Sequence, residues 1–331
     1  MENGMNVIKA GEWIGVAALL GLAMMMNSAQ AQQTLDDSDT QDVCAFSTVL
    51  DLRTGLPTTA QRLYGEAQGT QLVFVGERHG TPEHVRLAAC ILSEKVGSRP
   101  PVLALEHVPA SAQRAIDAWR RDSAFDADLF ADAVEWESLG WPSFEIYRPL
   151  IEVAGNARAH VLGTDRPQPG SGGPSSDALI EVAPAYGLQS EDIVTAWIPD
   201  MIAGHCDLIG EDAAAQMALA QMERDRIMAG RLIAGRGRGI SALYFGGRGH
   251  VRQDRAIPYL MDRTDRPPTM LVVAAFTQDE WSAHLQDDPA LVMRELALAY
   301  DIVVVVGQSS PTDTQLCEDM RAQMGLPAQD N

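Results

Sequence analysis

Three short apolar runs in this sequence end on side chains that can move a proton or hold a cation. Residues 72–75 lead into Gly76-Glu77-Arg78-His79-Gly80, residues 102–105 into Glu106-His107, and residues 242–245 into Gly246-Gly247-Arg248-Gly249-His250. A fourth run, residues 160–163, is followed closely by Asp165. Imidazoles beside carboxylates serve one of three ends: they ligate a divalent metal, act as general acid and base, or form a buried hydrogen-bond network. Glu77, His79, Glu106 and His250 are therefore candidate catalytic residues and, equally, candidate metal ligands. A single carboxylate at a strand end is most simply a cap on neighbouring amides. Several polar groups repeated at the ends of different strands point to a site.

Residues so far apart in sequence converge only in a particular frame. The runs at 72–75, 102–105, 160–163, 242–245, 271–274 and 302–306 are apolar on successive positions rather than alternating. That pattern predicts an α/β fold, a mostly parallel sheet covered by helices on both faces. In such a sheet the carboxyl ends of the strands share one edge, and ligands bind in the crevice there. Helical patterns fill the intervals: residues 81–97 with Thr81 as cap and Pro82 at the first position, then 111–121, 126–138 and 144–157. Residues 166–177, rich in Pro, Gly and Ser, read as a linker. Beyond it, about residues 178–234 carry helical patterns only, which predicts a helical cap inserted between the third and fourth strands.

Within that insertion, Gln221 and Asp225 lie one helical turn apart on the same face. Met217, Met222 and Met228 offer soft apolar surface that suits either a flat ligand or ordinary helix packing. Gly204-His205-Cys206 offers a histidine or a thiol as a ligand, or simply a helix end. Other chemistry is disfavoured by missing motifs. No GxxxxGK[ST] occurs, the glycines of GGRGH do not have the GxGxxG spacing, and there is no GxSxG nucleophile elbow and no CxxC.

The bulk composition narrows the partners. With 331 residues, 46% of them hydrophobic, the chain can bury a large core. A formal charge of −20 argues against nucleic acid and anionic lipid, leaving a small-molecule ligand as the expected partner. Lys9, the apolar stretch at 13–26 and Ala29-Gln30-Ala31 have the layout of a cleaved signal peptide over residues 1–31. A polar leader and lead-in follow at 32–69, with the main domain expected over 70–331. Export to a periplasmic or secreted location is therefore expected, with no transmembrane segment after cleavage. All four cysteines, Cys44, Cys90, Cys206 and Cys317, lie beyond the signal, where oxidation is possible. Three pairings can be drawn; a Cys44–Cys317 staple between the ends of the domain is the expectation.

Taken together, GERHG after a strand, LALEH, QRAIDAW, the pair Trp136 and Trp141, FEIYRPLIEVAGNARAHVLGTDRP, GHC, AQMERDRIMAG and ALYFGGRGHVRQDRAIPYL resemble the ChaN-like haem-binding uptake proteins. The resemblance spans about residues 70–260, with its motifs in order. It extends more broadly to the Tiki metalloproteases and erythromycin-esterase-like proteins. It implies an exported, iron-related protein that binds haem between protomers, as a homodimer, with a tyrosine on the iron. Ala29-Gln30-Ala31-Gln32 replaces a lipobox, so a lipid anchor is not expected. Tyr186, the tyrosine of the insertion, and His205 are the candidate haem-binding residues. Kinship with the metalloproteases implies the alternative, a metal-dependent hydrolase of esters or peptides built on Glu77, His79, Glu106 and His250.

Overall fold

Every strand predicted from an unbroken apolar run is present, and the lack of alternation has the expected cause: both faces of the sheet are covered. The computed structural model of the protein describes residues 44–46, 48–97, 99–121, 125–166, 185–186, 190–236, 241–286, 288–307, 317–318, 320–322 and 324–327. Their elements run β1 (Thr48–Asp51), β2 (Leu56–Thr58), α1 (Ala60–Gly69), β3 (Leu72–Glu77), α2 (Pro82–Glu94), β4 (Val102–Pro109), α3 (Gln113–Arg121), α4 (Ala127–Ala133), α5 (Phe144–Asn156) and β5 (His160–Asp165). There follow α6 (Ser190–Gly204), α7 (Glu211–Arg236), β6 (Ala242–Gly247), α8 (Ile257–Asp262), β7 (Met270–Thr277), α9 (Gln278–His284), α10 (Pro289–Ala299) and β8 (Ile302–Val306). Short 3-10 turns at Ala110–Ala112, Trp136–Ser138 and Arg248–Val251 link some of them.

One sheet holds all eight strands in the order β2-β1-β8-β7-β3-β6-β4-β5. The six strands from β8 to β5 pair in parallel, while β1 and β2 add an antiparallel edge. Successive side chains of a strand point to opposite faces. Val73, Val75, Leu103, Leu105, Leu243, Phe245 and Val273 thus pack on one face with residues of α2 to α5. Leu72, Phe74, Ala104, Tyr244, Val272 and Val303 pack on the other with α6, α7, α8 and α10. Fully burying one such aliphatic or aromatic side chain contributes about 1.5–3 kcal/mol, so two cores of this extent fix the sheet firmly.

The structure corrects several expectations. Folded structure begins before residue 70, because β1, β2 and α1 lie in the stretch taken as a leader and lead-in. Their signal is weak: β1 has only four residues, and β2 is the exposed Leu-Pro-Thr at the sheet edge. Thr81 precedes α2 but makes no side-chain cap bond; Pro82 alone marks the start. The cysteines pair as Cys44–Cys90 and Cys206–Cys317, not as Cys44–Cys317. Cys44 is tied to α2, and Cys317 to the end of α6, so the two ends of the domain are stapled to different helices. Met222 and Met228 are fully buried in the second core, and only Met217 is half-buried, so the methionines are packing groups. The signal peptide, the linker beyond Arg166 and most of Gly235-Arg236-Gly237-Arg238-Gly239 lie outside the described residues. Among those described, no helix is long and apolar enough to cross a membrane.

Candidate functional site

Strand parity decides where each polar group at the sheet edge goes. Glu77 has the parity of Val73 and Val75, and His107 that of Leu103 and Leu105, so both enter the first face. Glu106 has the parity of Ala104 and enters the second. The two glutamates, Glu77 2% and Glu106 1% exposed, therefore leave the sheet on opposite sides, and His79 lies between them.

On the first face Glu77 Oε1 collects three donors. His107 Nε2–H donates at 2.7 Å, His79 Nδ1–H at 2.9 Å and the Tyr147 hydroxyl at 3.4 Å. Tyr147 is held in turn by the Gly80 N–H, which donates to its oxygen at 3.0 Å. Trp136 stacks on the His107 ring, and Trp141 lies 4.8 Å from the His79 ring centroid and 4.9 Å from that of His107. Inside this aromatic wall, Glu77 Oε2 and His107 Nδ1 are buried without a partner among the described residues. Glu77, His79 and His107 each offer a ligand atom, all within 4.8 Å of one another.

On the second face Glu106 is saturated. Arg224 Nη2 donates to its Oε1 at 2.7 Å, His250 Nε2 lies 3.1 Å from the same oxygen, and the Gly247 N–H donates to Oε2 at 2.7 Å. That last bond needs a glycine beside it: a Cβ on Gly246 would lie 2.7 Å from Glu106 Oε2 and 2.8 Å from the Tyr244 oxygen. Arg224 also bonds Asp165 Oδ2 at 2.7 Å, which joins α7 to the ends of both β4 and β5. The opposite nitrogen of His250, Nδ1, lies 2.5 Å from Asp225 Oδ1, with the Gln221 side chain against the same ring.

The charges follow from these contacts. Burial alone raises the Glu77 and Glu106 carboxyls, yet the imidazoles and, for Glu106, Arg224 more than offset it and hold both low, Glu106 well below the carboxylate range. Burial would lower His250, but Glu106 and Asp225 on either side push it up to about 9, so it is an imidazolium at neutral pH. Asp225 is pushed up to about 6 by burial, against the pull of His250. His79 is likewise raised, Glu106 and Glu77 outweighing its desolvation. Its Nε2 lies 3.8 Å from Glu106 Oε1, and its side chain, 33% exposed, is the member that meets solvent. The arrangement is a buried relay of alternating acids and imidazoles with one accessible proton carrier, His79.

The structure thus brings together all four residues picked from the sequence, Glu77, His79, Glu106 and His250, with Asp165 beside them. It adds His107, Tyr147, Arg224 and Asp225. His107 was legible, since it shares strand parity with the aliphatics of the first face and follows Glu106 directly. Gln221 and Asp225 were seen to share a helix face, and that face meets His250. Arg224 gave no signal in the sequence that set it apart from the other arginines of the helix.

The candidate haem-binding residues lie elsewhere. Tyr186 is buried in the second core, its ring stacked on Tyr259 and its hydroxyl donating to the Met222 carbonyl, with the phenol pushed up by burial. This corrects its reading as an iron ligand, because its oxygen is committed inside the core. Tyr64, Tyr147, Tyr244 and Tyr300 spend their hydroxyls on Cys44, Glu77, Met228 and Arg248. Tyr259 is 5% exposed, sandwiched between Tyr186 and the Arg263 guanidinium. His205, half-buried at the end of α6, has Nδ1 2.6 Å from the Met201 carbonyl.

Comparison with known proteins agrees with this frame. A family model described as haem-binding uptake, Tiki superfamily, ChaN, matches residues 63–261. No curated protein matches the chain. Among solved structures, one described as cofacial haem binding to ChaN of Campylobacter jejuni superposes with a TM-score of 0.60 at 16% identity, covering 80% of this chain and 97% of that one. A mutant of the erythromycin esterase EreC in its open conformation gives a TM-score of 0.44 at 13% identity, covering 80% and 100%. The type III effector HopBA1 gives 0.39 at 18%, covering 75% and 92%. The first superposition supports the fold alone, and the matched span takes in β3, β4, β5 and β6 with the whole relay at their ends. The chain belongs to the ChaN family of haem-binding uptake proteins in the Tiki superfamily.

Proposed function

We propose that this protein is an exported haem-binding protein that serves iron uptake outside the cytoplasm. The observation that carries the reading is the family match over residues 63–261, which covers most of the described domain. Two disulfides that use all four cysteines support an oxidising compartment, and with it export to the periplasm or beyond. In this reading haem iron is cargo, and the protein's part is to bind it, shield it and release it. The test is titration of the mature protein with haemin, followed in the Soret band. A saturable change at one haem per chain is expected; its absence overturns the proposal. Mass spectrometry of the protein from its native envelope is expected to find the chain beginning at Gln32, and an intact Met1 overturns export.

One observation favours a second activity at the crevice. Among the described residues Glu77 Oε2 and His107 Nδ1 are buried without a partner, and Glu77, His79 and His107 each offer a ligand atom within 4.8 Å of the others, a donor set that suits a divalent metal ion. A metal here would supply Lewis-acid polarisation of a carbonyl or an activated water. Glu77, His79 and His107 would hold the ion, and Tyr147 would orient Glu77. The substrate class is an ester or peptide. Metal content and hydrolysis in wild type, His107→Ala and His250→Ala decide it. Metal retained in wild type and His250→Ala but lost in His107→Ala places it at Glu77, His79 and His107; negligible metal and turnover in all three remove this reading.

A further inference from the structure

We propose that the groove between the ends of α3 and α5 is a second ligand site, separate from the crevice, which takes a small aromatic acid: an oxyanion carried on a flat apolar body.

The groove lies at the opposite edge of the sheet from the relay. β5 ends on Asp165, which Arg224 holds, and its start, where Ala159 leads into His160, forms one side of the groove. The cavity measures about 420 Å³, within the range of small-ligand pockets. Its floor is aromatic. Trp119 meets Phe125 edge to face at 5.5 Å, and its Nε1–H donates to the Asp126 carbonyl at 2.8 Å, which fixes the indole. The Phe125 ring lies directly on Gly155, where an added Cβ would overlap it.

The walls are cationic, because Arg120, Arg121 and Arg158 all line the groove. Elsewhere in this acidic chain Arg53, Arg148, Arg224, Arg248 and Arg252 each hold a carboxylate. None of the three groove arginines forms an ion pair among the described residues. Arg120 answers backbone groups: Nε donates to the Ala159 carbonyl at 3.2 Å and Nη2 to the Arg158 carbonyl at 3.4 Å, with His160 Nε2 3.1 Å from Nη2. These contacts hold its guanidinium in place and leave Nη1 without a partner among the described residues. The guanidiniums of Arg121 and Arg158 bond no described residue.

The backbone at Arg158 points the same way. Arg158 is left-handed, at φ 51°, in the turn that closes α5. Glycine is the usual residue there, because the left-handed region crowds a Cβ. Ala157, Arg158 and Ala159 donate their N–H groups to the carbonyls of Val153, Gly155 and Ala154, so the turn itself caps the helix and the guanidinium is not needed for it. An arginine at this position adds positive charge to the groove at a conformational cost. A fork of guanidinium donors pairs with a carboxylate or phosphate, and a flat ring packs on Trp119 and Phe125. A neutral ring gains only the floor, and a bare oxyanion only the walls.

The test is isothermal titration calorimetry of the purified protein with 2-naphthoate, 1-naphthyl phosphate, 2-naphthol and inorganic phosphate. Saturable binding of at least one naphthyl acid is expected, the tighter of the two naming the preferred oxyanion, with 2-naphthol and inorganic phosphate weaker by about tenfold or more. Arg158→Gly keeps the left-handed turn and removes the guanidinium. It is expected to weaken the acid by about tenfold with an unchanged or higher melting temperature, a combination that a merely structural arginine would not give. Arg121→Gln is expected to weaken it likewise, and equimolar haemin to leave it unchanged. No saturable binding of either acid, 2-naphthol binding as tightly as 2-naphthoate and 1-naphthyl phosphate, or wild-type affinity in both arginine variants overturns the proposal. Displacement of the acid by haemin overturns the separateness of the site.

Discussion

His250 Nδ1 lies 2.5 Å from Asp225 Oδ1, which ties the end of β6 to the middle of α7 through one buried contact. On its other side Nε2 lies 3.1 Å from Glu106 Oε1, so the ring is an imidazolium clamped between two carboxylates. This relationship fixes the helical insertion to the sheet edge and sets the pH range over which it holds.

The sign of the pH dependence follows from the direction of the shift. His250 rises from 6.5 to about 9 on folding, so the folded state binds its proton more tightly. The stabilisation is complete below pH ~6.5 and is lost as the pH rises through ~9, amounting to about 3 kcal/mol at about 1.4 kcal/mol per pKa unit. Urea unfolding between pH 6 and 10 is expected to show this decline in wild type and a flatter profile in His250→Asn. Equal slopes in the two proteins would contradict the clamp.

Arg224 neutralises two buried carboxylates at once, Glu106 and Asp165. Arg224→Ala leaves Glu106 short of its cationic partner and is expected to destabilise by about 3–5 kcal/mol. Adding Glu106→Gln removes the stranded charge and should recover part of the loss. A double-mutant cycle by denaturant unfolding measures the coupling, expected at about 1–3 kcal/mol; additive losses would mean that the two side chains act independently.

Gly246 is a steric requirement of the site. A Cβ there would collide with Glu106 and Tyr244, so Gly246→Ala is expected to cost about 1–3 kcal/mol. Gly69 at the end of α1 has nothing within 4 Å of its Cβ position, and Gly69→Ala is expected to be neutral or stabilising by up to ~1 kcal/mol. Thermal melts of the two variants should move in different directions or by clearly different amounts.

Thiol titration of the denatured, unreduced protein is expected to find no free cysteine, and four after reduction. Loops closed across 46 and 111 positions correspond to about 4 and about 5 kcal/mol in a chain-entropy account. Peptide mapping should recover Cys44 with Cys90 and Cys206 with Cys317; a Cys44–Cys317 peptide would contradict this pairing.

The sequence by itself determined the α/β class, the six parallel strands and the strand ends that carry Glu77, His79, Glu106 and His250. It could do so because a strand buried on both faces must be apolar at every position, and a parallel sheet must put its carboxyl ends on one edge. Strand parity, also written in the sequence, already separated Glu106 from His107. Only the tertiary structure decided that Arg224 and Asp225 of α7 complete the cluster, since the approach of a helix to a sheet depends on packing across a core. It alone decided the disulfide partners, which depend on Cα separations, and the antiparallel edge of β1 and β2, whose short runs carry little hydrophobic signal. It also withdrew Tyr186 into the second core, because the flanking helices bury that ring against Tyr259.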